Sequence, residues 1–145
     1  MGNSRVKKEA EDKIIFDSIQ QLHNAVLQFS NNTMEVKKLF VSVLIAFFTI
    51  IITMNPSITS LSKMQLIILG VIDILFWMLD AQSYYYQKKL RQQITDLQEE
   101  LKGSVNRTKR RSIYVLIRES IFNPSMFIYI VVLIILFIAK ISRVI

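Results

Sequence analysis

A chain of 145 residues is long enough for one domain and too short for two sizeable ones. Hydrophobic residues make up 52% of it, Gly and Pro number only three and two, and the mean hydropathy is +0.37, which excludes disordered, collagen-like and low-complexity chains and marks a membrane protein. The lack of cysteine excludes disulfides, thiolate zinc sites and cysteine nucleophiles, a single His leaves no set for metal or Ser-His chemistry, and the net charge of +7 carries information only through its placement.

The opening Met1-Gly2-Asn3-Ser4-Arg5-Val6 puts Val6 where a myristoylation start wants Ser or Thr, so no lipid anchor is expected. Ile15, Ile19, Leu22, Val26 and Phe29 follow at spacings of 4, 3, 4 and 3, a heptad seam on a helix over 9–30, with His23 on its surface. Asn32 with Glu35 three residues later reads as an N-cap and capping box, which would start the first membrane helix separately and leave a hinge before it.

Apolar runs cover 39–54, 64–79 and 126–139. Sixteen residues reach only about 24 Å against a hydrocarbon core of about 30 Å, so the flanks must complete each span. Lys37 and Lys38 precede the first run, and Trp77 with Tyr84, Tyr85 and Tyr86 forms an aromatic belt after the second. The short turn Asn55-Pro56-Ser57-Ile58-Thr59-Ser60 makes the two a hairpin. Asp73 lies deep in the second run, where a carboxylate costs roughly 2.5–3.5 kcal/mol, so it faces a helix or water rather than lipid. Hairpin geometry sets it opposite residues 43–45, bracketed by Ser42 and Thr49 as hydrogen-bond donors. Two roles stay open for it: gluing helices together, or lining and gating a pore. Asp80 sits at the end of the run, within reach of Lys37 or Lys38.

Beyond the membrane the second helix continues unbroken, carrying a seam of Leu90, Ile94, Leu97 and Leu101 before Gly103 ends it. The two seams either bury each other within one chain or assemble copies into a homo-oligomer. The basic cluster Lys109-Arg110-Arg111 suits anionic lipid head groups, at about 1 kcal/mol each. Nucleic acid is not expected as a partner, since no zinc finger, helix-turn-helix or aromatic stacking motif accompanies the cluster. Asn123 before Pro124 caps a third helix over 124–143, which spans if Lys140 and Arg143 snorkel.

Fifteen of the eighteen Lys and Arg fall in residues 1–38 and 81–123. The positive-inside rule then places the N-terminus and the 87–123 region in the cytoplasm and the C-terminus outside. The expected architecture is an all-α membrane protein: a cytoplasmic amphipathic helix (1–36), a transmembrane hairpin (37–86), a cytoplasmic helical region (87–123) and a third transmembrane helix (124–145). No nucleotide-binding loop, HExxH, GxSxG or paired-carboxylate pattern occurs. Neither a catalytic residue, a metal ligand nor a cofactor site is expected, and the chain does not read as an enzyme.

Two stretches resemble a known family. Phe29-Ser30-Asn31-Asn32-Thr33-Met34-Glu35-Val36-Lys37-Lys38 entering the first span, Asn55-Pro56 in the turn, and Phe76-Trp77-Met78-Leu79-Asp80-Ala81 leading into Tyr84-Tyr85-Tyr86-Gln87-Lys88-Lys89-Leu90-Arg91 are similar to the SLATT-like family, the SMODS- and SLOG-associating two-transmembrane effectors. The resemblance covers residues 20–102 and implies a bacterial inner-membrane effector of antiviral defence. Such a protein would be triggered by a separate sensor or signal-generating protein encoded nearby, and would breach the membrane in abortive infection. Tyr84-Tyr85-Tyr86-Gln87-Lys88 departs from the family's Tyr-Leu-Arg-x-Glu-Arg pattern, and many two-span relatives lack the third apolar run. A non-lethal membrane anchor or accessory subunit that recruits a cytoplasmic partner is the other function class these features allow.

Overall fold

The computed structural model describes residues 2–54, 61–103 and 111–141, and among them no strand occurs. Four α-helices follow one another: α1 (Gly2–Met54), α2 (Lys63–Leu101), α3 (Ile113–Ile121) and α4 (Phe127–Ile141), the last entered through a 3-10 turn at Pro124–Met126. The turn expected at 55–60, Lys109, Arg110 and Arg143 lie outside the described residues.

No Gly or Pro interrupts α1 after its first residue, so nothing in the backbone chemistry stops it. The hinge expected at Asn32 is therefore absent: Asn32 lies mid-helix and exposed, and Glu35 pairs with Lys38 at 2.7 Å instead of reaching back to a cap. Thr33 likewise donates its hydroxyl to the Phe29 carbonyl at 3.1 Å, as a Ser or Thr inside a helix does. The division at 36/37 falls within the continuous α1, and that at 86/87 within α2, which runs on unbroken past the apolar run as the sequence suggests. A capping box does occur at the start of α2, with Ser62 accepting from the Gln65 amide and Gln65 accepting from the Ser62 amide at 2.7 Å. Gly103, at φ +63, turns the chain away after α2.

α1 and α2 run antiparallel along their length. The register is fixed by Phe29 stacked on Tyr86 at 5.4 Å, by the Gln87 amide donating to the Thr33 hydroxyl at 3.2 Å, and by Phe40 against Phe76 at 5.3 Å. Buried residues recur every seven positions on each helix: Val26, Thr33 and Phe40 on α1, and Asp73, Asp80, Gln87 and Ile94 on α2. The heptad seam thus does not stop at the end of the stem but continues into the apolar half of the hairpin, making one antiparallel coiled coil of the whole. Within the chain the two seams face one another. Leu22 and Leu97 line one groove, Val26 and Ile94 are buried, and Ile15, Ile19, Phe29, Leu90 and Leu101 are half-buried.

α3 is an element the sequence reading did not separate from the helical region around it. Leu116 and Ser120 are buried, and Lys88 of α2 reaches Glu119 at 2.6 Å while Arg111 reaches the same oxygen at 3.1 Å. α3 ends at Ile121 with Phe122 as its C-cap, and Asn123 accepts from the Ser125 amide at 2.8 Å, capping the turn into α4 with Pro124 behind it as expected. Three stretches are long and apolar enough to cross a membrane, Val6–Met54, Lys63–Leu101 and Ile113–Ile138. Their outer faces present Leu39, Ile45, Ile52, Ile67, Leu75, Met78, Ile134 and Phe137 unburied, a surface that lipid solvates and water does not.

Candidate functional site

Where α4 packs against the hairpin, a compact core forms from Phe40, Ala81, Met126 and Tyr129, with Leu44, Ile72, Phe76, Trp77, Tyr84, Ile128 and Val132 around it. Phe40 meets the Tyr129 ring at 4.9 Å with the planes tilted, a favourable aromatic geometry. Polar groups are threaded into this apolar core. Asp73 and Asp80, two turns apart on one face of α2, are both 0% exposed, as is Tyr129 of α4.

Lys37 sits at one end of this row. Its Nζ lies 2.9 Å from Asp80 Oδ2 and 2.7 Å from the Ser125 Oγ to which it donates, so one ammonium joins α1, α2 and the start of α4. Lys38, the other cation at this level, turns outward to Glu35. The Tyr129 hydroxyl lies beside the Asp80 carboxylate, within Coulombic range of Asp73, yet without a well-formed hydrogen bond. Asp73 has no hydrogen-bond partner at either oxygen among the described residues. The register set by Lys37–Asp80 and Phe40–Phe76 explains why: it brings Leu44, not a polar residue, to the level of Asp73.

Ser42 and Thr49 do not serve Asp73. Both are exposed and donate to their own helix, Ser42 to the Lys38 carbonyl at 2.9 Å and Thr49 to that of Ile45 at 2.8 Å. The depth along the helix was right and the direction wrong. Ser42 and Thr49 each follow by two residues the stripe of Phe40 and Phe47 that faces α2, a rotation of about 200° at 3.6 residues per turn. A hydroxyl in an apolar medium that can satisfy itself on the i−4 carbonyl needs no partner across the interface.

The remaining sites divide. Trp77 packs on the core and donates its indole N–H to the Ile121 carbonyl at 3.1 Å, which satisfies an orphan acceptor at the C-terminus of α3. Tyr84 is half-buried in the same core, with the Lys88 ammonium 5.3 Å from its ring centroid. Asn32 and Glu35 are away from the acidic row and line an open groove of about 500 Å³ with Leu39, Leu79 and Tyr86. Tyr129 and Ser125 were missed as site residues. A lone phenol hydroxyl inside the apolar run 126–139 was the available signal for Tyr129, since buried Tyr normally keeps its polar end near a partner.

Three apolar helices enclosing an acidic row define a multi-pass, all-α membrane protein with a polar interior. No protein-family model matches the chain, and neither a curated protein nor a solved structure does.

Proposed function

We propose that this protein is a membrane effector of a bacterial antiviral defence system, which depolarises or permeabilises the inner membrane when a separately encoded sensor triggers it. The observation that carries this reading is Asp73. A carboxyl enclosed by membrane helices, with neither oxygen partnered, costs a few kcal/mol that a passive anchor has no use for, and an intramembrane ionisable group is by default a functional one. The resemblance of residues 20–102 to SLATT-like effectors supports the same class. In this reading the stem and α3 face the cytoplasm, as the distribution of Lys and Arg favours, and the row from Lys37 to Asp73 runs inward from the cytoplasmic interface. The chain shown is the resting form, its polar row sealed. Copies assemble through the outward faces of the membrane helices, because each stem seam is already satisfied within its own chain.

The experiment is inducible expression in a bacterium with and without the adjacent gene, reading growth, membrane potential and propidium entry, with Asp73→Asn at matched membrane levels as the comparison. Depolarisation that needs the natural Asp73 supports the effector. An anchor or accessory subunit is the second reading, favoured by the in-chain pairing of the stem seams, which removes the evident surface for assembly. Insertion without depolarisation in any arm decides for the anchor.

A further inference from the structure

The acidic row carries one positive charge too few. With Asp73, Asp80 and Lys37 all ionised, the enclosed cluster has two negative charges and one positive, and a net charge buried among membrane helices is not tolerated. Something must supply the missing positive charge. The packing limits what that can be: Phe40, Met126 and Tyr129 are 0% exposed and Leu69, one turn further along α2 from Asp73, is 1% exposed. Close-packed side chains leave no room for a hydrated metal cation, whereas a proton needs only a succession of groups that can each accept one and release another.

We propose that Lys37, Asp80, Tyr129 and Asp73 form a proton path that enters the bilayer from the Lys37 end, stops at Asp73, and is closed beyond it by Leu69. This rests on the effector reading and names the ion it passes. The titratable groups facing the path come from every helix packed there: Lys37 from α1, Asp73 and Asp80 from α2, Tyr129 from α4. The transfer is balanced at each step. At rest Asp73 holds the neutralising proton. With the Leu69 seal open, Asp73 gives that proton to the Tyr129 oxygen as Tyr129 gives its own hydroxyl proton to Asp80, which releases it to water at the level of Lys37. Asp73 then takes a proton from water on the far side, and each group returns to its starting form. No bond between heavy atoms changes and no co-reactant is needed.

The test removes the seal rather than waiting for the trigger. The full chain, Leu69→Gly, and Leu69→Gly combined with Asp73→Asn are reconstituted in vesicles of bacterial phospholipid holding a pH-sensitive dye. A valinomycin-set potassium potential drives proton flux, and sodium flux is read separately. Leu69→Gly is expected to raise proton flux at least tenfold over the natural chain with no rise in sodium flux, and Asp73→Asn in that background is expected to abolish the gain. Size-exclusion profiles and the helical circular dichroism signal confirm that all three fold. Equal passage of sodium, proton flux untouched by Asp73→Asn, or no flux through a folded Leu69→Gly protein each overturns the path. Triggered depolarisation of cells with propidium entry would leave the effector standing and remove the proton path, so the two fail separately.

Discussion

Replacing Lys37 by Met gives the sharpest test of how the three membrane helices are held together. The Lys37 ammonium lies 2.9 Å from an Asp80 carboxylate with 0% side-chain exposure, while the Lys37 side chain itself retains 19%. Removing one partner of an enclosed ion pair costs about 3–5 kcal/mol, chiefly because the other charge is left enclosed. Asp80→Asn is the milder change: the lysine left behind sits near the surface, keeps Ser125 and can extend its ammonium toward head groups, so a cost of about 1–2 kcal/mol is expected. The double variant should recover at least about 2 kcal/mol relative to Lys37→Met alone, because no orphan charge remains. Equilibrium unfolding in mixed micelles with rising SDS measures all four corners of the cycle, and the single tryptophan, Trp77, reports on the adjoining core. A Lys37→Met protein no less stable than Asp80→Asn, with no recovery in the double variant, refutes the pairing as the tie between helices.

Because the chain lacks cysteine, Leu22→Cys with Leu97→Cys should form an oxidative crosslink that migrates as a monomer on a denaturing gel, whereas a dimer band would show the seams pairing between copies. Asn32→Ala should be neutral or stabilise by up to about 0.5 kcal/mol in a thermal scan, since Ala is the better helix former in a helix interior; a loss near 1 kcal/mol would mean a cap is there after all. Trp77 emission should be blue-shifted and quenched most by lipids brominated close to the head groups, and Trp77→Phe should cost about 1 kcal/mol through the lost bond to Ile121; stronger quenching by deeply brominated lipids would contradict that placement.

The sequence made the three apolar segments and the third helix's Asn123–Pro124 start legible because each rests on a local rule: hydropathy over one span, or a cap fixed by two adjacent residues. Lys37 with Asp80 was also readable, both being polar residues forced to the same depth by a short turn. What local rules missed was azimuth. Continuing the stem seam backwards by sevens from Leu101 and Ile94 passes through Gln87, Asp80 and Asp73, which places both carboxylates on the buried stripe of α2 without any structure. Depth alone offers Asp73 Ser42 and Thr49, residues on the opposite side of α1. The Asn32 hinge failed for a related reason: a capping-box pattern marks a helix start only where the preceding backbone breaks, and residues 3–54 contain neither Gly nor Pro. Tyr129 depended on how α4 docks, a long-range fact with no periodic trace.

The continuity of α1 has a mechanical consequence. At about 1.5 Å per residue its 53 residues make a rod of about 80 Å. Residues 6–14 are all exposed, so the N-terminal turns of α1 form a handle that projects past its packing with α2. With no hinge to absorb motion, a load applied there cannot dissipate within the stem. It acts as torque about the Lys37–Asp80 tie, and a lateral swing of the handle in one direction becomes a smaller, opposite tilt of the membrane segment against α2 and α4.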